Sequence, residues 1–232
     1  MAGCLMMLPA VSDACQTAPD AADVSATRAA AAISRGSDVL IVGDSYTTGR
    51  GSHDGTHGWA QDLATERGWD ATIDGVPGTG YVSIGATNST RWNYLSRIER
   101  RAALDPQLVL VQGSQNDWLV SSDALEARVE RTLRTARHQW PNAVVVAIGP
   151  SAPVPRAETT GGISSAVAAG ARAAGVPYVD ALGERWFTQA NSASYAAADE
   201  QHLNDAGYLY LAGRIEDALD ELATPTEGDQ CA

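Results

Sequence analysis

Residues 38–43 read DVLIVG, a short apolar run that ends in a glycine, and Asp44 and Ser45 follow it directly. An uninterrupted apolar run of this length predicts a strand that is buried on both faces. Strands of this kind belong to parallel sheets that helices cover on each side. The stretch therefore favours an α/β fold and places a serine just beyond a strand end.

Strand-like and helix-like segments alternate along the rest of the chain. The other predicted strands are the runs at 71–73, 108–111, 143–148 and 176–179. Predicted helices occupy 59–67, 91–103, 122–140, 164–174 and the segment from residue 206 onward. Because crossovers between parallel strands are right-handed, this order predicts a three-layer α/β/α sandwich with a mostly parallel, five-stranded, flavodoxin-like sheet.

The chain of 232 residues is long enough for one well-filled core. We expect the folded domain at 37–224, a C-terminal tail at 225–232, and an N-terminal extension at 1–36 whose part from residue 16 is a linker or a frayed helix. The apolar run at 3–11 resembles the remnant of a secretory signal segment, with a plain disordered extension as the alternative. It favours a secreted or cell-envelope protein over a cytoplasmic one.

Charge and cysteine content argue against several classes of protein. The formal net charge is −12, and all 16 basic residues are arginines, so nucleic acid and anionic membranes are unfavourable partners. No stretch approaches the ~20 apolar residues of a membrane-spanning helix. Cys4, Cys15 and Cys231 lack metal-ligand spacing, and Cys15 and Cys231 are a possible disulfide in an exported protein, with free thiols as the alternative.

Four polar segments carry residue types that suit ester chemistry. Ser45 follows the first strand, and a serine at such a turn exposes its hydroxyl and its N–H. Asp199 precedes His202 by three residues, a spacing that lets the carboxylate reach Nδ1 and turn Nε2 outward. Gly78 and Asn116 lie in loops after the second and third strands. Each segment alone is also compatible with an ordinary cap, turn or surface loop.

In this order the four segments resemble the conserved blocks of the SGNH hydrolase superfamily, the GDSL esterases and lipases. The resemblance spans 39–207. It implies that Ser45 is the nucleophile, that His202 is the general base and then the acid, and that Asp199 orients the imidazole. It also implies an oxyanion hole made by the N–H groups of Ser45 and Gly78 and by the Asn116 amide. It implies no metal and no cofactor.

Three positions depart from the family pattern. Tyr46 stands where the motif name has leucine, and Leu203 stands where proline usually follows the histidine. The third block is usually Gly-x-Asn-Asp, whereas here Ser114 lies two residues before Asn116 and Gly113 one further back. The last change affects the expected shape of the loop and leaves the amide in place.

The sequence predicts a serine esterase for short-chain acyl or acetyl esters, because no long insertion suggests a lid. A carbohydrate acetylesterase or a lipase of the same superfamily are alternatives, and the partner is a small-molecule or saccharide ester. Trp118, Tyr46 and Tyr81 are the predicted substrate-binding aromatics. Two rivals use the same fold: a metal-dependent phosphoesterase with Asp44, Asn116 and His202 as ligands, and a non-catalytic carbohydrate-binding module. The oligomeric state is not predicted.

Overall fold

The computed structural model describes residues 21–86 and 89–225. Its centre is a five-stranded sheet in the order β2-β1-β3-β4-β5. The strands are β1 Asp38–Gly43, β2 Asp70–Gly75, β3 Leu108–Gln112, β4 Val144–Ile148 and β5 Tyr178–Val179. Every neighbouring pair runs parallel, which confirms the predicted α/β sandwich with a five-stranded sheet.

Eight α-helices connect and flank these strands in the described part of the chain. They are α1 Ala21–Ala32, α2 Ser45–Thr48, α3 Trp59–Arg67, α4 Tyr94–Arg100, α5 Ser122–Gln139, α6 Gly161–Ala174, α7 Ser192–Tyr195 and α8 Asp205–Ala223. Short 3-10 helices lie at Thr90–Trp92, Gln115–Asp117 and Arg156–Thr159. No helix among the described residues has the length and apolarity to span a membrane.

Alternating side chains of the strands supply two separate cores. Val39 and Ile41 of β1 pack on one face of the sheet with α1, α3 and α8. Leu40 and Val42 pack on the other face with α4, α5 and α6. Successive strand residues point to opposite faces, so a continuous apolar run is required at the centre of a sheet that is covered on both sides.

The packed chain begins earlier than the sequence suggests. The predicted domain starts at Ser37, after a linker or frayed helix, whereas the structure has α1 at Ala21–Ala32 and packs it against α8. Ala26, Ala29 and Ala32 are buried in this contact, and small side chains of this kind give a weak amphipathic signal. Cys4, Cys15 and Cys231, with their possible disulfide, lie outside the described residues.

A buried arginine ties α4 to the carboxyl ends of two strands. The Arg97 side chain is 0% exposed, and its Nη1 donates to Asp74 Oδ1 at 3.0 Å and to the Asp74 carbonyl at 2.8 Å. Its Nη2 donates to the Gly43 carbonyl at 2.7 Å. The guanidinium thus joins the carboxyl end of β1 to that of β2, two residues before Ser45.

We predict that Arg97→Met lowers the free energy of unfolding by about 3 kcal/mol, because it leaves the Asp74 carboxylate and two strand carbonyls without their buried donor. Urea denaturation monitored by circular dichroism measures the change. Arg101→Met is the matched control, since Arg101 also pairs with Asp74, at 3.0 Å, but is 42% exposed. A partly exposed pair should cost no more than about 1 kcal/mol. Equal losses in the two variants would contradict a special role for Arg97.

Candidate active site

The turn after β1 fixes Ser45 at the start of α2. Asp44 is the N-cap of this helix, and its Oδ1 accepts the Tyr46 N–H at 2.9 Å. Ser45 is the first helical residue, so its own N–H has no acceptor within the helix. The serine is buried beneath the rim of a cleft of about 360 Å³ that also contains Gly78, Asn116 and His202.

The loop before α8 carries a histidine and an aspartate to this serine. His202 Nε2 lies 2.9 Å from Ser45 Oγ, and His202 Nδ1 lies 2.6 Å from Asp199 Oδ2. Asp199 Oδ1 accepts the backbone N–H groups of Gln201 and His202 at 2.9 Å each. The structure therefore brings together all three residues that the sequence proposes as nucleophile, base and orienting acid.

The electrostatics of Asp199 suit an orienting carboxylate. Partial burial opposes its ionisation, but the hydrogen bonds from the His202 ring and from the Gln201 and His202 backbone outweigh burial and lower the pKa of Asp199 to about 2. The group is consequently anionic at neutral pH and keeps a proton on His202 Nδ1. Nε2 is then left as the acceptor that faces Ser45 Oγ.

Tyr46 holds the histidine loop in place. Its ring centroid lies 5.5 Å from that of His202, and its hydroxyl donates a hydrogen bond to the Gln201 carbonyl. Tyr46 lines the cleft but is nearly all buried, so most of its ring packs against protein. A leucine, the residue of the motif name, has no hydroxyl for the bond to Gln201.

Gly78 and Asn116 lie across the cleft from the histidine loop. Gly78 has a φ of +75°, a conformation that favours glycine and places its backbone along the cleft. Asn116 Nδ2 donates to the Thr79 carbonyl at 2.8 Å and, over a longer 3.3 Å, to Asp44 Oδ2. The Asn116 amide thus connects the loop after β2 to the turn that carries Ser45.

Asp117 has a structural role that the sequence reasoning did not assign. Its buried carboxylate accepts the N–H groups of Tyr81, Val82 and Ser83 at 2.9, 3.2 and 2.7 Å. These bonds hold the loop after β2 against the loop after β3, and therefore fix Gly78 relative to Asn116. In the sequence, the position of Asp117 in the Asn–Asp pair of the third block was the signal that could have indicated this role.

The altered third block keeps a glycine at a position that has no room for a side chain. Gly113 has a φ of +120°, and a Cβ at this position would lie 2.6 Å from Tyr94 Oη and 3.1 Å from Asp44 Oδ2. The glycine therefore sits one residue earlier than the family spacing and still lets the backbone pass beside Asp44. Asn116 reaches the cleft in spite of this shift.

Asp44 is a buried carboxyl next to the serine. It is 1% exposed, and burial raises its pKa to about 6, although the Tyr46 N–H and the Arg97 charge act in the opposite direction. Asp44 therefore gains or loses its proton within the pH range in which proteins are commonly handled.

Two of the three predicted substrate-binding aromatics do not lie in the cleft of Ser45. Tyr81 is 0% exposed and packs against Tyr94 with ring centroids 5.0 Å apart, so it belongs to the core and presents no surface to a substrate. Trp118 is 69% exposed and lines a second cleft beside the first. That second cleft is also lined by Gln115, Arg156, Thr159, Thr160 and Ile163.

Arg156 and Gln115 line both clefts, and the sequence analysis assigned neither of them to the site. Arg156 follows a proline-rich stretch with no recognisable motif, and only the tertiary fold carries it to the site. Within the described residues, no three His, Cys, Asp or Glu side chains are grouped as metal ligands would be.

Comparisons with known proteins agree with this geometry. The model of the GDSL-like lipase/acylhydrolase family matches residues 41–209. The GDSL lipase Rv0518 of Mycobacterium tuberculosis is 32% identical over 187 residues, which cover 76% of this chain and 79% of that protein.

Solved structures show the same fold at low sequence identity. A protein from Lactobacillus plantarum superposes with a TM-score of 0.63 at 18% identity, over 81% of this chain and 98% of its own. A carbohydrate acetylesterase family member from Sinorhizobium meliloti gives 0.58 at 16% identity, over 81% and 99%. The match over 41–209 places the four site segments within one family pattern, and the chain belongs to the GDSL-like lipase/acylhydrolase family of the SGNH hydrolase superfamily.

Proposed function

We propose that the protein is a serine esterase that hydrolyses short-chain acyl esters, acetyl esters above all, through an acyl-enzyme on Ser45. The observation that carries this proposal is the unbroken series of contacts from Asp199 to His202 to Ser45, at 2.6 and 2.9 Å. A serine needs a base within such a distance to act as a nucleophile.

The geometry supports a two-step reaction. Ser45 Oγ attacks the ester carbonyl while His202 Nε2 takes its proton, and Asp199 stabilises the resulting imidazolium. When the tetrahedral intermediate collapses, the bond to the alcohol oxygen breaks and His202 returns the proton to that oxygen. His202 then removes a proton from water as that water attacks the acyl-enzyme. When the second tetrahedral intermediate collapses, the bond from the acyl carbon to Ser45 Oγ breaks, His202 returns the proton to Oγ, and the acid leaves.

The developing oxyanion has three candidate donors, the N–H groups of Ser45 and Gly78 and the Asn116 amide. Of the two bonds made by Asn116 Nδ2, the 3.3 Å contact to Asp44 is the weaker. In this proposal the Asn116 hydrogen turns from Asp44 to the substrate oxygen, while the bond to Thr79 holds the amide in place. One donor of this kind contributes about 3 kcal/mol to the transition state.

The cleft supports a preference for small, polar esters. Its walls are formed largely by polar and charged side chains, among them Gln115, Gln201 and Arg156. Such walls gain little from a long alkyl chain. The fold shared with a carbohydrate acetylesterase family member adds support for acetyl groups, and the relationship to a GDSL lipase keeps lipid esters as the second candidate.

The rival functions receive less support from the contacts. Both ring nitrogens of His202 already have protein partners, and Asp44 points at Asn116 and the Tyr46 N–H. A metal held by these residues would have to displace those contacts. A non-catalytic saccharide module has no need of an aligned serine, histidine and aspartate.

We expect Ser45→Ala to lower kcat for p-nitrophenyl acetate by about 10⁴-fold or more, since the nucleophile is lost while the fold is kept. A fluorophosphonate probe should label the wild type and leave Ser45→Ala unlabelled, as read by intact-mass spectrometry. Ser122→Ala, at an exposed serine of α5, is the matched control and should behave as wild type. Labelling that persists without Ser45 would refute the proposed nucleophile.

The length of the acyl chain should affect the rate of hydrolysis. We expect kcat/KM for p-nitrophenyl acetate to exceed that for the palmitate ester by at least about tenfold, because a polar cleft offers a long chain little apolar burial. Initial rates over an acyl series from two to sixteen carbons, below micelle-forming concentrations, provide the measurement. A maximum at the long end of the series would favour the lipase alternative.

A third prediction concerns the buried Asp44 carboxyl. Between pH 3.8 and about 6 the folded protein holds this proton more tightly than the unfolded chain does, so ionising Asp44 weakens folding as pH rises. Asp44→Asn keeps an oxygen acceptor for Tyr46 N–H and has no proton to lose. Its free energy of unfolding, relative to wild type, should rise by about 2 kcal/mol between about pH 4 and pH 7.5.

Urea denaturation at several pH values measures this difference. Asp54→Asn is the control, because hydrogen bonds from Thr56 and His57 lower the pKa of Asp54, so that its titration falls below this range. A difference between Asp44→Asn and wild type that stays constant with pH would rule out the buried titration.

A further inference from the structure

Arg156 is a cation with neutral partners in the wall of the catalytic cleft. Its Nε donates to Gln115 Oε1 at 2.6 Å and one Nη to Gln201 Oε1 at 3.2 Å. Two other arginines with restricted exposure, Arg97 and Arg67, are paired with carboxylates, Arg97 with Asp74 and Arg67 with Glu216. Throughout 21–86 and 89–225, by contrast, no Asp or Glu lies within ion-pairing distance of Arg156.

The two amides orient the guanidinium without neutralising it. Gln115 is only 3% exposed, so its position is fixed by the surrounding protein. A guanidinium has five N–H donors, and these two bonds use two of them, which leaves three donors and a full positive charge at the cleft. A planar guanidinium held in this way is suited to donate hydrogen bonds to a carboxylate.

The position of this charge is unusual for the molecule as a whole. The chain has a net charge of −12, so its overall field repels an anionic substrate. Asp44 and Asp199 line the first cleft together with Arg156, whereas in the second cleft Arg156 is the one charged residue among the described lining residues. Arg50 also lines the first cleft, but it is exposed, and its guanidinium makes no hydrogen bond to any described residue.

The second cleft continues from Arg156 away from the serine. It has a volume of about 300 Å³, and its lining includes the exposed indole of Trp118 and the charge of Arg156. Flat rings pack well on an exposed indole face. The cleft therefore combines a surface for a ring with a fixed partner for an acidic group.

The position of His202 indicates which half of an ester would lie there. In the proposed reaction His202 gives its proton to the leaving alcohol, so the alcohol must pass on the histidine side of Ser45. Gln201 precedes His202 and is the residue whose side chain bonds to Arg156. The alcohol half of the substrate is thereby directed toward Arg156 and the second cleft.

We propose that the second cleft is the subsite for the alcohol part of the ester, and that Arg156 binds a carboxylate carried by that alcohol while Trp118 packs against its ring. The substrate class is then an acyl ester of a ring-containing hydroxy acid, whether an acidic sugar or an aromatic hydroxy acid. This inference rests on the proposed esterase function and specifies its substrate.

The test compares 3-acetoxybenzoate with phenyl acetate, which release the same acyl group from phenols that differ by one carboxylate. The quantity measured is the ratio of their kcat/KM values. We expect wild type to favour the carboxylate ester and Arg156→Gln to lower the ratio at least tenfold, with partial retention in Arg156→Lys. Arg131→Gln removes an exposed arginine of α5 and should keep the wild-type ratio.

Several results would overturn the assignment. An unchanged ratio in Arg156→Gln would do so, and so would an equal loss for both esters, which would indicate that Arg156 only supports the histidine loop. If Arg50→Gln abolished the preference for the carboxylate ester and Arg156→Gln retained it, the carboxylate would be bound by Arg50 instead of Arg156. A second pair, acetylated methyl glucuronoside and methyl glucoside, tells an acidic sugar from an aromatic acid as the preferred alcohol.

A binding measurement separates this inference from the esterase proposal. In Ser45→Ala, calorimetry with 3-hydroxybenzoate and with phenol reports on the subsite without any turnover. Tighter binding of the carboxylate compound that requires Arg156 supports the subsite even if no ester is hydrolysed. Equal binding of the two compounds refutes it even if Ser45-dependent hydrolysis is found.

Discussion

A guanidinium with no access to water must find its partners within the protein, and Arg97 finds them at the ends of β1 and β2. Its bonds to Asp74 and to the Gly43 carbonyl fix the relative position of two strand ends. The Ser45 turn leaves one of these ends, and the loop with Gly78 leaves the other. Breaking the contact leaves Asp74 Oδ1 and two backbone carbonyls without their buried donor, so the local geometry has few low-energy alternatives.

From that point the site is assembled by hydrogen bonds between loops. Asp117 fixes the loop after β2 through three N–H groups, and Asn116 links that loop to Asp44. On the opposite side, Tyr46 packs against His202 and bonds to the residue before it. Ser45, His202 and Asn116 are thus held by polar contacts between the loops at the sheet edge, and each loop depends on its neighbours.

The sequence predicted the elements whose signal is local. The apolar runs at β1, β3 and β4 identify central strands because both of their faces must be buried, and the boundaries found for α3 agree with the prediction. For α1 the sequence left a linker or a frayed helix open, and its packing was not predicted because the buried positions described in it include Ala26, Ala29 and Ala32, whose small side chains give a weak signal. The predicted helix at 91–103 is divided in the structure into a 3-10 turn and a shorter α4, with Asn93 capping the latter.

For the site, too, local motifs were predicted from the sequence, and positions that depend on the packing of distant loops were not. Short motifs identified Ser45, Asp199, His202, Gly78 and Asn116, because their spacing along the chain reflects their geometry. Tyr81 was assigned to the substrate although it is buried, and Arg156 was overlooked, because both positions are decided by how distant loops pack. An aromatic or an arginine in a loop carries no pattern that reveals which way it faces.

The contact between Ser45 and His202 joins residues 157 positions apart in the chain. Such a long separation carries a large closure entropy, which only the intact sheet and the docking of α8 can offset. No fragment that lacks either end of this span contains both partners. The proposed esterase activity would accordingly serve as an indicator of complete folding, since a chain that has formed only its first strands has Ser45 without His202.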